Sequence, residues 1–107
     1  MKDNCLLVMT SCPDIDSAKA IAKSLVEARL AACIQISSPV TSVYRWQDEV
    51  CEEQEYALQI KCHSACFDKI EQAILALHPY EVPELIAVKI KAGSSAYLDW
   101  IKETTQI

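Results

Sequence analysis

The chain has 107 residues, 51% of them hydrophobic, and one glycine, Gly93. That length predicts a single domain over residues 1–107, and the composition fits regular elements joined by short turns, which excludes disorder and low complexity. With 10 basic and 15 acidic residues the net charge is −5, so nucleic acid is excluded as a partner and cations are favoured.

Cys5-Leu6-Leu7-Val8-Met9 is the kind of apolar run that a central, doubly covered strand needs. It is far too short to span a bilayer, and Lys2-Asp3 before it makes no basic leader. The chain is therefore expected to be cytoplasmic, with no membrane partner. Ser11-Cys12-Pro13-Asp14 ends the strand, with Asp14 placed to cap a helix over residues 14–30. In that helix Ala18, Ile21, Ala22, Leu25 and Ala28 recur at three- and four-residue spacing, opposite Lys19, Lys23, Glu27 and Arg29. A second strand follows at 32–36, closed by Ser37-Ser38-Pro39.

Two β-rich runs come next, 40–46 and 55–61, and the acidic stretch between them reads as a hairpin tip. Arms of about eight residues reach roughly 26 Å, long for a small sheet. Alternation puts Tyr56, Leu58 and Ile60 on one face of the second arm and Glu55, Ala57, Gln59 and Lys61 on the other. Ser64 is placed to cap a helix whose buried stripe is Phe67, Ile70, Ala73, Ile74 and Leu77. A strand over 85–90 follows. A short helix opened by Ser94 and Ser95, carrying Tyr97, Leu98, Trp100 and Ile101, ends the pattern.

The order β-α-β-β-α-β plus a terminal helix predicts an α+β fold, the split βαβ of a ferredoxin-like sandwich. Helices on one face leave the opposite sheet face bare, and a long hairpin offers open backbone donors and acceptors. The pattern points to a closed homo-oligomer whose hairpins reach onto neighbouring subunits.

The most constrained segment is His78-Pro79-Tyr80-Glu81-Val82-Pro83-Glu84. Its prolines hold His78 and Val82 extended, so a helix that stops at His78 delivers an imidazole, a phenol and a carboxylate to the mouth of the next strand. The segment reads as a positioned binding surface or as an interface latch.

Several pieces now resemble one family. They are Leu30-Ala31-Ala32-Cys33-Ile34, Ser42-Val43-Tyr44-Arg45-Trp46, Glu55 with Lys61, His78-Pro79-Tyr80 with Pro83-Glu84, and Tyr97-Leu98-Asp99-Trp100. In order and spacing these resemble the CutA divalent-cation tolerance proteins. The resemblance implies a tight homotrimer of ferredoxin-like subunits, similar in architecture to PII signalling proteins. It also implies a cytoplasmic role in tolerance of copper and other divalent metals, with no settled catalytic activity, and no organic cofactor is expected. Copper binding in this family is attributed to a cysteine late in the first strand and a histidine pair before Pro-Tyr. Here Thr10 and Leu77-His78 stand at those positions, so one ligand of three is retained.

Cys12 with His78 is one metal candidate, because thiolate and imidazole suit Cu(I) or Zn(II) and a thiol near a helix start is expected to have a lowered pKa. The structural alternative has His78 capping the preceding helix and Cys12 packing. Cys62-His63-Ser64-Ala65-Cys66 gathers two thiols and an imidazole, but without zinc-finger spacing. Asp48, Glu49, Glu52, Glu53 and Glu55 lack the glycine turn of a calcium loop and read as a solvated tip. The six cysteines are expected to be reduced thiols rather than disulfides.

Tyr44, Trp46, Glu55, Lys61, Tyr80 and Glu84 form the last group. As an intersubunit cleft with aromatic walls, one lysine and carboxylates, they would hold a small anion or metabolite. The alternative is that the same residues register the subunits through a salt bridge and packing. There is no Gly-rich phosphate loop, nucleophile elbow or metalloprotease helix. An enzyme therefore ranks behind metal tolerance and behind a PII-like signalling module.

Overall fold

A computed structural model describes residues 5–105. Lys2 and Asp3, on which the reading of the chain's start rests, lie outside the described residues. The elements are β1 (Cys5–Cys12), α1 (Ile15–Glu27), β2 (Cys33–Trp46), β3 (Glu49–His63), α2 (Phe67–Leu77), β4 (Ile86–Lys89) and α3 (Ser95–Thr104). They follow in the expected order, with a 3-10 turn over Ser64–Cys66 before α2. The result is a mixed α+β fold on a four-stranded antiparallel sheet of order β2-β3-β1-β4.

Alternation builds the core. Val8 and Cys12 of β1 and Leu58, Ile60 and Cys62 of β3 share one sheet face and are fully buried against Ile21 and Leu25 of α1 and Ile70 and Ile74 of α2. Asp14 caps α1, accepting the Ser17 N–H at 2.8 Å. That helix stops at Glu27, short of the expected residue 30. Arg29 takes a left-handed φ of 61°, and the Leu30 N–H donates to the Leu25 carbonyl at 3.0 Å, a Schellman closure made without glycine. Before α2, His63 rather than Ser64 caps the turn, its Nδ1 accepting the Ala65 N–H at 3.0 Å. Leu77 is 47% exposed, so the buried stripe ends at Ile74.

The hairpin departs most from expectation. The turn is only Gln47 and Asp48, both left-handed at φ 51° and 65°. Trp46 pairs with Glu49, so Glu49, Glu52 and Glu53 belong to the β3 ladder and not to a loop at the tip. Glu55 consequently faces Val40 rather than the end of the first arm. The ribbon carries the molecule to 45 Å in its longest dimension against 25 and 23 Å in the others.

β2 is continuous where two separate runs were expected, joined through a bulge between Ile36 and Pro39. The Ser37 hydroxyl accepts the Ala57 N–H at 3.0 Å and donates to the Ser38 carbonyl at 2.7 Å, replacing a lost ladder bond. Pro39, which has no N–H to offer, follows immediately on an edge strand. One extra residue reverses the parity of the strand. Before the bulge Cys33 and Gln35 oppose Lys61 and Gln59; after it Ser42, Tyr44 and Trp46 oppose Glu53, Cys51 and Glu49.

The sheet face away from α1 and α2 is only partly covered. At one end Ile101 and Leu98 of α3 pack on Cys5 and Ala32. Toward the middle, Ile86 and Val88, opposite Met9 and Leu7, are 51% and 46% exposed. Because the Ser37 hydroxyl serves the Ala57 amide, Ser37→Ala is expected to lower stability by about 1–2 kcal/mol in urea unfolding, with Ser37→Thr largely retaining it. An unchanged midpoint in the alanine variant would remove the bulge from this role.

Candidate functional site

Pro79 forbids His78 a helical backbone, so α2 ends there with His78 extended at ψ 138°. The imidazole turns inward and is 8% exposed. Its Nε2–H donates to the Ser11 carbonyl at 2.6 Å, and its Nδ1 accepts the Tyr80 N–H at 3.0 Å. The Tyr80 ring sits 5.0 Å from the imidazole, and its hydroxyl donates to Glu55 Oε2 at 2.9 Å. Ser11 Oγ donates to the other oxygen, Oε1, at 3.4 Å, and Glu55 is 7% exposed. Further along, the Thr10 hydroxyl donates to the Glu84 carbonyl at 2.6 Å.

Between this segment and the hairpin lies a cleft of about 700 Å³, a size typical of small-molecule sites. Tyr44, Trp46, Glu53 and Glu55 line it from the hairpin, with Ser42 and Val43 beside them. Tyr80, Glu81 and Glu84 line it from the other side, with Pro79 and Val82. Burial first, and then the hydrogen bond and charge of Glu55, push the Tyr80 phenol far above its ordinary range. Burial and then Glu53 raise the Tyr44 phenol in the same direction.

Five of the six residues expected at a cleft thus come together: Tyr44, Trp46, Glu55, Tyr80 and Glu84. Lys61 does not. Its Nζ donates to Gln35 Oε1 at 3.2 Å and stands 5.8 Å from the Tyr97 ring centroid, at the α3 end of the sheet. The expectation of a lysine among the carboxylates is corrected, and among the described residues the cleft lining holds no basic side chain. Glu53, Ser42 and Ser11 were missed as lining residues. Placing the turn at Gln47-Asp48 would have found the first two through their pairing.

An antiparallel α+β fold with a carboxylate-rich, aromatic cleft beside a protruding hairpin defines a small class of proteins. Comparison with known proteins narrows it: the chain belongs to the CutA1 divalent ion tolerance protein family, whose sequence profile matches residues 6–104. It is 48% identical over 99 residues to the divalent-cation tolerance protein CutA of Thermus thermophilus, covering 92% of this chain and 96% of that one. It is 36% identical over 96 residues to human protein CutA, covering 90% of this chain but 54% of the human protein, about half its length. The crystal structure of CutA1 from Shewanella sp. SIB1 superposes with a TM-score of 0.95 at 47% identity, covering 100% of both chains.

The metal candidates fare differently. Cys12 Sγ does lie 3.8 Å from His78 Nε2. However, that nitrogen carries the proton given to Ser11, and the lone pair on Nδ1 is taken by Tyr80, so the imidazole has nothing left for a metal. The expected lowering of the Cys12 pKa is also corrected: burial, then Asp14 and Glu55, push the thiol from 9.0 up to about 11. Thr10 and Leu77, at the other positions the resemblance assigns to copper, bring a committed hydroxyl and an exposed alkyl chain. These donors do not fit copper. Among the described residues, no three His, Cys, Asp or Glu side chains converge as a metal group.

His78→Ala is expected to lower stability by about 2–4 kcal/mol, since two buried main-chain groups lose their partner. It should leave a copper titration isotherm unchanged; a weakened isotherm would restore His78 as a ligand. Cys12 and Cys62, the latter pushed up to about 12 by burial first and then Cys66 and Cys5, hold their protons more tightly folded than unfolded. Their contribution to stability is intact below the unfolded value of 9.0 and is lost as pH rises toward about 11 for Cys12 and about 12 for Cys62. At about pH 8 both thiols should resist iodoacetamide in the native protein and react in urea, as read by mass spectrometry. Rapid labelling of the native protein would contradict this.

Proposed function

We propose that the chain serves divalent-cation tolerance as a cytoplasmic homotrimer of ferredoxin-like subunits, PII-like in architecture, and that it acts by binding a ligand in the cleft. The observation that carries this reading is the extended hairpin. It forms one wall of the cleft, and beyond the core it exposes Val43, Trp46 and Val50 at 65%, 47% and 67%. A two-stranded ribbon alone is marginal in water. Ile86 and Val88 add a second apolar patch on the uncovered sheet face. Closing three copies about one axis covers the sheet-face patch, brings a neighbouring subunit against the hairpin and pairs the open edge.

The strand order β2-β3-β1-β4, with α1 and α2 packed on one face, supports the ferredoxin-like reading. Thiols at Cys12, Cys33, Cys51 and Cys62 support a reducing compartment. No helix among the described residues is long and apolar enough to cross a membrane. Binding is favoured over catalysis because both oxygens of Glu55, the most buried carboxylate of the cleft, are already held by Tyr80 and Ser11. A PII-like signalling role is the second reading. The three aromatic rings of the cleft favour it, since rings recognise organic molecules better than bare ions.

Sedimentation of the dilute protein should give about three times the 11.9 kDa of one chain. The double variant Ile86→Glu, Val88→Glu should shift the mass to that of a single chain. A wild-type protein that sediments as one folded chain would end the trimer reading.

A further inference from the structure

We propose that the partner subunit's Lys61, Tyr97 and Trp100 complete each cleft, closing over the carboxylates and rings that the first chain supplies. This deepens the cleft reading and rests on the trimer proposed above, adding the groups that one chain lacks. A single chain carries two unlike patches at opposite ends of β3. At the hairpin end Glu53, Glu55 and Glu84 line the cleft together with aromatic rings, and no basic side chain among the described residues lines it with them. At the other end the Lys61 ammonium stands 5.8 Å from the Tyr97 ring centroid, and Trp100 packs on Tyr97 with centroids 5.5 Å apart.

The second patch is unfinished as well. The Lys61 ammonium donates to the exposed Gln35 amide oxygen at 3.2 Å, and among the described residues no carboxylate lies within ion-pair reach of it. Tyr97 and Trp100 are 39% and 42% exposed, although large aromatic side chains gain most from burial. Six residues of strand hold Lys61 roughly 20 Å from Glu55 of the same chain, so the two patches meet only across a subunit boundary. In a ring of three every contact is head-to-tail, so a patch on each subunit must meet a different patch on the next. Ammonium against carboxylates and ring against ring is the complementary pairing. Charge complementarity thus names a second copy as the occupant of the hairpin wall. Each completed cleft holds both signs of charge, and its ligand touches two chains.

A carbodiimide joins an amine to a carboxylate only where the two touch, and it tests this on the full-length protein. Lys61 should be joined to Glu53, Glu55 or Glu84 in a two-chain band on a denaturing gel, as mapped by mass spectrometry. Lys61→Glu should weaken assembly by about tenfold on dilution, read by sedimentation. Adding Glu53→Lys or Glu84→Lys to the same chain should recover most of that loss. Either the link or the recovery sustains the assignment. If the wild type sediments as a trimer, yet Lys61 links to no cleft carboxylate and neither reversal recovers assembly, the trimer and the cleft stand and this completion falls. A wild type that sediments as one folded chain would instead end the trimer reading and take this proposal with it.

Discussion

The buried imidazole of His78 holds together three pieces of chain that would otherwise separate: the end of α2, the end of β1 and the segment 79–84. Its backbone N–H still closes the helix on the Ile74 carbonyl at 2.8 Å, while its ring spans from Ser11 to Tyr80. Both nitrogens are satisfied inside the protein, which is the condition for burying a polar ring without penalty. The direction this gives the chain brings the Tyr80 hydroxyl onto Glu55. The Thr10 hydroxyl fixes the far end on the Glu84 carbonyl. One wall of the cleft is therefore pinned to β1 at both ends, and a wall already in place lowers the entropy lost on binding.

The opposite wall depends on a single extra residue. Without the bulge at Ser37 and Ser38, unbroken alternation would put Tyr44 and Trp46 on the face away from Glu53 and Glu55. Two serines before a proline read most naturally as a strand end. That is why the sequence suggests two strands where one bent strand exists. The hydroxyl that makes the bulge tolerable is visible only once Ala57 is known to lie across from it.

Much else was legible. The apolar periodicities gave each helix, the alternation of Leu58 and Ile60 gave the core face of β3, and the prolines gave the shape of 78–84. Failures gathered where the chain adopts a left-handed backbone without glycine. Gln47-Asp48 turns the hairpin and Arg29 closes α1, yet neither carries the glycine that usually marks such positions. The error at the turn passed into the register, and acidic ladder residues became a loop. Lys61 failed for another reason: alternation correctly places it on the face of Glu55, but six residues of strand separate them by roughly 20 Å.

Gathering carboxylates in one cleft is unfavourable unless donors answer them. Here the donors are neutral: Tyr80 and Ser11 for Glu55, Tyr44 for Glu53. Neutral donors stabilise each charge without cancelling it, and the raised phenols keep their protons throughout the physiological range. The cleft of one chain thus keeps its negative field for a group from outside that chain to meet. Thr10 bears on the same point. At a position the resemblance assigns to a copper-binding cysteine, this chain carries a hydroxyl that anchors Glu84, so a side chain that a metal site would have used instead holds the cleft wall. At Thr10, the loss of one metal donor and the bracing of the cleft wall are thus two consequences of a single departure from the family pattern.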